Sequence, residues 1–172
     1  MSATPPIPAA IAGYFDKAGN PCLTIGLRGV YSPTPVEFEA IIDTGFTGFL
    51  SMPLIKAFPL GLPLHGTTAV TLADGSTSYK LLGHAKATLN NQTKEGLVIL
   101  EPSSSDILLG MAFLRTFKLM LMVAQMGVGL IDEMVLDAII KQAQARAQGD
   151  SAAHPESAPP VGTTGFDPDT KA

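Results

Sequence analysis

Residues 39–53 read E-A-I-I-D-T-G-F-T-G-F-L-S-M-P, and the rest of the chain is read from this stretch. Ile41 and Ile42 lead straight into Asp43, and Thr44 and Gly45 follow at once. An acid at the end of an apolar strand is costly unless its neighbours satisfy it. A glycine two positions on lets the backbone turn tightly and bring N–H groups to the carboxylate. That combination suggests a carboxylate held in place for chemistry. Asp-Thr-Gly alone is equally an ordinary turn, so the remainder of the chain has to separate the two readings.

Upstream, Leu23, Ile25 and Leu27 alternate with Thr24, Gly26 and Arg28, the period of a half-buried strand. Gly29 to Pro35 reads as a loop, and Val36, Phe38, Ala40 and Ile42 alternate again as the returning strand. Asp43 is therefore carried on the turn after a hairpin strand. Downstream, Phe49 and Leu50 run to Pro53, with a short helical turn over residues 54–58. Thr67–Leu72 and Thr77–Leu82 flank Ala73-Asp74-Gly75-Ser76. Asp-Gly between two strand-like runs signals a hairpin, because both residues tolerate positive φ. Gly83 reads as a bulge or bend before a strand over 84–89. Asn90-Asn91-Gln92 is a turn, and Gly96–Leu100 is another strand. Asp106-Ile107-Leu108-Leu109-Gly110 reads as a buried strand that ends in glycine. A short helix over 111–117 and final strands over 119–123 and 128–131 follow.

The ends differ from this body. Pro5, Pro6 and Pro8 disfavour helix and strand, so residues 1–18 read as an N-terminal arm. The domain proper spans residues 19–131. At Asp132 the period changes. Asp132 suits a helix N-cap, and Met134, Val135, Ala138 and Ile139 form an apolar stripe at helical spacing. The helix is expected over 132–148, stopped by Gly149, and docked on its own domain or on a partner subunit. Residues 149–172, rich in Pro, Ser, Ala and Gly, are expected to form a disordered tail.

Composition narrows the function classes. The chain has 172 residues, 46% of them hydrophobic, and a formal charge of −4, enough for one domain with a core. There is no basic cluster and no Trp, which argues against a nucleic-acid partner. Cys22 is the single cysteine and reads as a small buried residue rather than a nucleophile. His65, His84 and His154 are scattered, read as loop or surface positions, and give no metal-ligand spacing. No secretory signal is visible at the N-terminus. The longest apolar run, 119–131, is shorter than the roughly 20 residues of a membrane-spanning helix. The expectations are a cytoplasmic protein with no membrane partner, no metal and no cofactor.

Three segments then stand in order: Asp43-Thr44-Gly45, the V-T-L-A-D-G-S hairpin at 70–76, and I-L-L-G at 107–110. Over residues 21–131 the chain resembles the retropepsin-like (clan AA) aspartic proteases, the single-domain retroviral and retrotransposon type. The resemblance implies an all-β fold, a small closed barrel with a flap hairpin. It implies Asp43, Thr44 and Gly45 as the catalytic triplet. It implies a substrate site formed by Phe46, by Ala73, Asp74 and Gly75 at the flap tip, and by Ile107, Leu109 and Gly110 beside the triplet. With one Asp-Thr-Gly per chain, it further implies a homodimer that cleaves a polypeptide, each subunit supplying one Asp43. The chain departs from the family pattern at Phe46, where relatives carry a small Ser or Ala. It also lacks an acid at Thr47 and an arginine at Met111, which form a salt bridge in retroviral enzymes. A retropepsin-like module that binds peptides or dimerises without cleaving is the alternative, and an unrelated barrel in which Asp43 caps a turn is a weaker one.

Overall fold

The computed structural model describes residues 10–71 and 74–151, and the chain divides after Leu136 into two compact units. The first unit holds every strand among the described residues. In chain order these are β1 (Ile11–Phe15), β2 (Pro21–Gly29), β3 (Val36–Ile42), β4 (Leu50–Pro53), β5 (Leu64–Thr71), β6 (Thr77–Leu89), β7 (Gln92–Glu101), β8 (Leu108–Leu109), β9 (Leu119–Ala124) and β10 (Gly127–Asp132). Two short helices interrupt them, α1 (Leu54–Ala57) and α2 (Met111–Thr116). A longer helix, α3 (Glu133–Ser151), begins at the end of the first unit and continues into the second.

Six strands close a barrel in the order β2-β3-β8-β4-β7-β6, and β6 returns to β2 through the Gly26↔Thr88 register. Closure removes the exposed edges that an open sheet would leave. The all-β expectation holds. The alternation read along β2 places Leu23, Ile25 and Leu27 in the core, where they are joined by Leu50, Met52, Leu109 and Phe113. Burying each large apolar side chain contributes about 1.5–3 kcal/mol. Phe113 packs between Phe49 and Phe117, with ring centroids at 5.2 and 4.6 Å, and so ties α2 to the barrel.

The expected N-terminal arm is only partly an arm. Ile11–Phe15 is a strand that pairs with β10 through Ile11↔Leu130 and with β2 through Tyr14↔Cys22. Gly13 permits this, because a Cβ there would press on the Cys22 carbonyl and the Val128 side chain. Residues 1–9 lie outside the described residues. β6 is also longer than expected. It runs unbroken through Gly83, and the irregularity falls on its partner strand, between Leu64 and Gly66. His65 is exposed on β5, in keeping with a surface position, and His84 is half-buried on β6, the two rings edge to face at 6.4 Å. His154 is outside the described residues.

In α3, Asp132 Oδ1 accepts the Met134 N–H at 2.8 Å, the expected N-terminal cap. The helix does not stop at Gly149 but continues to Ser151. Glycine costs about 1 kcal/mol in a helix without forbidding it. The remainder of the expected tail, 152–172, lies outside the described residues. No helix among the described residues is long and apolar enough to cross a membrane.

Candidate active site

Asp43 leaves β3 at the point where the two-residue strand β8 lies between β3 and β4. β8 runs parallel to β3, through Ile41↔Leu108 and Ile42↔Leu109, and antiparallel to β4. Ile107 and Leu109 present their carbonyls to this ladder. Ile41 N–H donates to Ile107 O at 2.8 Å and Asp43 N–H to Leu109 O at 2.9 Å. The backbone of the acid is thereby fixed from a segment more than sixty positions away in sequence.

The loop beyond Asp43 is closed from both sides. Gly45 N–H donates to Asp43 Oδ1 at 2.9 Å, and Phe46 N–H to the Asp43 carbonyl at 3.2 Å. From the first turn of α2, Met111 N–H donates to Phe46 O at 2.8 Å and Ala112 N–H to Gly48 O at 3.2 Å. Gly110 makes this approach possible. A Cβ at Gly110 would overlap the Gly48 and Phe46 carbonyl oxygens. The glycine that ends I-L-L-G is therefore dictated by contact with the Asp43 loop.

Phe46 is half-buried, and its ring lies across Gly48, where a Cβ would overlap it. Its carbonyl is committed to Met111, so its backbone is fixed while its side chain borders open space. That space is a groove of about 460 Å³ lined by Gly45, Phe46, Thr47 and Gly48 on one side, Thr68–Thr71 of β5 on the other, and Ile99. None of these residues is charged. Thr44 is exposed and Asp43 half-buried at the head of the loop.

Of the residues expected at the site, the structure brings together Asp43, Thr44, Gly45, Phe46 and Gly110. Ile107 and Leu109 are a correction. Their side chains are buried in the core, 1% and 0% exposed, and they support the acid through their carbonyls rather than line the groove. Asp74 and Gly75 are exposed at the β5–β6 tip and do not line the groove either, while Ala73 lies outside the described residues. Gly75 has φ of +82°, as the Asp-Gly turn requires. Asp74 Oδ1 accepts both Ser76 Oγ–H at 2.6 Å and Ser76 N–H at 2.9 Å. The Ser76 hydroxyl, then its N–H, hold the Asp74 carboxyl below its ordinary pKa.

Thr68, Val70 and Ile99 were missed as groove residues. The period-two alternation of β5 and β7 was visible, but which strand faces lie opposite the Asp43 loop follows from how β7 sits in the barrel and β5 pairs with β6, which no local pattern encodes. Cys22 is buried, and burial, then the charge of Asp16, push its thiol up from the ordinary cysteine value. A thiol shifted in that direction is a poor nucleophile. Among the described residues no group of three His, Cys, Asp or Glu side chains is arranged to hold a metal ion.

No protein-family model and no curated protein matches the chain. Among solved structures, a retropepsin-like aspartic protease from Rickettsia conorii aligns over 72% of this chain and 90% of its own, at 14% identity and a TM-score of 0.52. The fold is retropepsin-like. The EIAV protease, solved with an inhibitor, aligns over 59% of this chain and 90% of its own at 12% identity and a TM-score of 0.46. The foamy viral protease–reverse transcriptase, solved with an RNA/DNA hybrid, aligns over 59% of this chain and 13% of its own at 17% identity and a TM-score of 0.39. These two scores are too low to add weight. The retropepsin-like barrel accounts for the segment order in this chain, with the acid loop, the β5–β6 hairpin and the glycine-terminated β8 converging on one region.

Proposed function

We propose that the chain is a homodimeric aspartic endopeptidase, hydrolysing peptide bonds with a water held between two Asp43 carboxylates, one from each subunit. The observation that carries this reading is the clamp on Asp43. Its backbone is tied to Leu109, its carboxylate to Gly45 N–H, and its loop to Met111 and Ala112. A carboxylate so fixed, beside an uncharged groove that begins at Gly45 and that it does not itself line, fits a role in chemistry better than one in solubility.

The reaction follows from charge repulsion. Two carboxylates about 3 Å apart do not both ionise, so the pair shares one proton. The ionised carboxylate takes a proton from the water as its oxygen attacks the peptide carbonyl carbon. The protonated partner gives its proton to the carbonyl oxygen. Collapse of the resulting diol breaks the C–N bond as a proton passes to the leaving nitrogen. No covalent enzyme intermediate forms, and no metal or cofactor takes part.

In this scheme Thr44 bonds across the two-fold axis and Gly45 supplies a backbone N–H to the carboxylate. The hairpin tip, Ala73, Asp74 and Gly75, covers the bound peptide. Phe46 offers no hydroxyl to the acid, so in this chain the acid lacks that donor. Ile107 and Leu109 act behind the acid, as its support.

The test compares the wild-type chain with Asp43→Asn on a mixture of unstructured peptides between about pH 4 and 7. New peptide termini, found by mass spectrometry in the wild-type sample alone, are the expected result. Absence of cleavage in both, with a dimer present, would transfer the reading to a non-catalytic peptide-binding or dimerisation module. Equal cleavage in both would remove Asp43 from the chemistry.

A further inference from the structure

A cavity of about 280 Å³ lies against β3, the strand that leads to Asp43. Neither Asp43 nor any residue lining the groove beside it borders this cavity. Phe38, Ile41 and Ile107 supply its apolar wall. Four charged side chains supply much of the rest: Asp16 just after β1, Glu39 of β3, Lys56 of α1 and Asp106 just before β8. Three carboxylates against one ammonium leave two negative charges unmatched.

The three acids share one space. After burial, the charges of Asp16, Glu39 and Asp106 each push the Cys22 thiol up, so all three lie near the same sulfur. They differ in what they already hold. Asp16 is committed to its own turn: Oδ1 accepts the Ala18 and Asn20 N–H groups, and Oδ2 the Asn20 side-chain amide, each at 2.8 Å. Asp106 Oδ2 accepts the Ser105 hydroxyl at 3.0 Å, and Lys56 Nζ donates to the Ser105 carbonyl at 2.9 Å. Glu39 enters none of the ion pairs among the described residues. A separate observation points to a missing partner. The Tyr14 hydroxyl oxygen, on another wall of the cavity, is buried and has no hydrogen-bond partner. Burial, then Glu39, push this phenol up from its ordinary value, so it stays protonated. A buried hydroxyl left alone is costly, and a ligand that bonds it removes that cost.

The charge and its spread define the ligand. Among the described residues no three acidic, His or Cys side chains are arranged around one metal ion, so the carboxylates do not converge on a single point charge. Two unmatched charges set along an apolar wall suit two cationic heads joined by methylene groups. We propose that this cavity binds a short aliphatic diamine in its doubly protonated form. One ammonium bonds Glu39 and the Tyr14 hydroxyl oxygen, the second faces Asp106, and the chain between them lies on Ile41 and Ile107. Ile41 N–H donates to Ile107 O at 2.8 Å, so the occupied cavity also steadies the backbone two residues before Asp43. The proposal does not depend on the hydrolytic reading.

The experiment titrates the full chain with diaminobutane, aminobutane and butanediol at neutral pH and low salt, and follows the backbone amides by NMR. Diaminobutane is expected to give saturable shifts at Tyr14, Glu39, Ile41 and Asp106. Aminobutane, short of one exposed ion pair, is expected to bind roughly fivefold more weakly, and butanediol to give no shifts there. Glu39→Gln, at an exposed position, is expected to weaken the diamine by a similar factor. Tyr14→Phe is read by thermal unfolding as well. It is expected to raise the Tm of the free protein, because the unpartnered hydroxyl is gone, and to reduce the further rise that diaminobutane gives the wild type. Shifts that do not saturate, butanediol matching diaminobutane, or affinity unmoved by both substitutions overturns the proposal. A Tm lowered by Tyr14→Phe also overturns it, since the hydroxyl would then already have a partner.

Discussion

Asp43 and Asp74 make the same local contact in two different settings. Each accepts the backbone N–H of the residue two positions on, at 2.9 Å in both cases. Around Asp74 everything stays local. The turn is closed by Ser76 and Gly75, and the tip is exposed. Around Asp43 the loop is bound by residues distant in sequence, with Leu109 behind the acid and Met111 and Ala112 beyond it. The local turn does not distinguish a surface hairpin from a site. The distant clamp sets the Asp43 loop apart from that hairpin, and Gly110 is the residue that admits it.

The largest stability effect is expected where the clamp has no slack. Gly110→Ala places a methyl group against two backbone carbonyls that are themselves held by hydrogen bonds. The expected loss is about 3 kcal/mol or more, read as a lowered urea midpoint. A midpoint within error of the wild type would mean that the β8–α2 junction yields. At Gly48→Ala the nearest atoms belong to the Phe46 ring, a side chain that can rotate away. A smaller loss of about 1–2 kcal/mol is expected, with a change in the ring's NMR signals that Gly110→Ala does not reproduce in a folded protein.

On the Asp74 side the effects are smaller. Gly75→Ala forces an L-residue to a φ of +82° at an exposed tip, for about 1 kcal/mol. Amide exchange should then rise in β5 and β6 while the amide of Asp43 keeps its protection. Faster exchange at Asp43 would join the two regions that the comparison separates. The smallest effect is a titration. The Asp74 carboxyl is held below its ordinary value of 3.8, so its contribution to stability is complete above that value and is lost as pH falls through the lower folded value. Carbon-detected NMR should find its midpoint under 3.8, and Ser76→Ala should move it back up. A midpoint that does not respond to Ser76→Ala would show that the hydroxyl contact does not hold the charge.

The same contrast explains what was legible in the sequence. Strand alternation, the Asp-Gly and Asn-Asn turns and the Asp132 cap are short-range signals, and the corresponding elements formed, with β6, β7 and α3 running beyond their expected ends. Asn90 and Asn91 take φ of +46° and +63° in the turn that joins β6 to β7. The acid loop and I-L-L-G were recognisable as a pair. The division of labour between them was not. Ile107 and Leu109 look apolar and available as a one-dimensional string, yet barrel closure turns both side chains inward and leaves only their carbonyls to act. β1 escaped notice for a related reason. Its partner in the Ile11↔Leu130 pairing lies at the far end of the sheet-forming sequence, and nothing within residues 11–15 announces it. Thr68, Val70 and Ile99 became groove residues only when β5 and β7 were placed across from the acid loop.

The central claim is that one chain holds half of a catalytic pair. Subunit mixing tests it most directly. Wild-type and Asp43→Asn chains are combined at fixed total concentration, allowed to exchange, and assayed on a peptide that the wild type cleaves. If each active site needs an Asp43 from both subunits, an equal mixture retains about a quarter of the wild-type rate, the share of dimers in which both chains are intact. A mixture that retains half the rate would mean that each chain acts by itself, and would contradict the shared-carboxylate account.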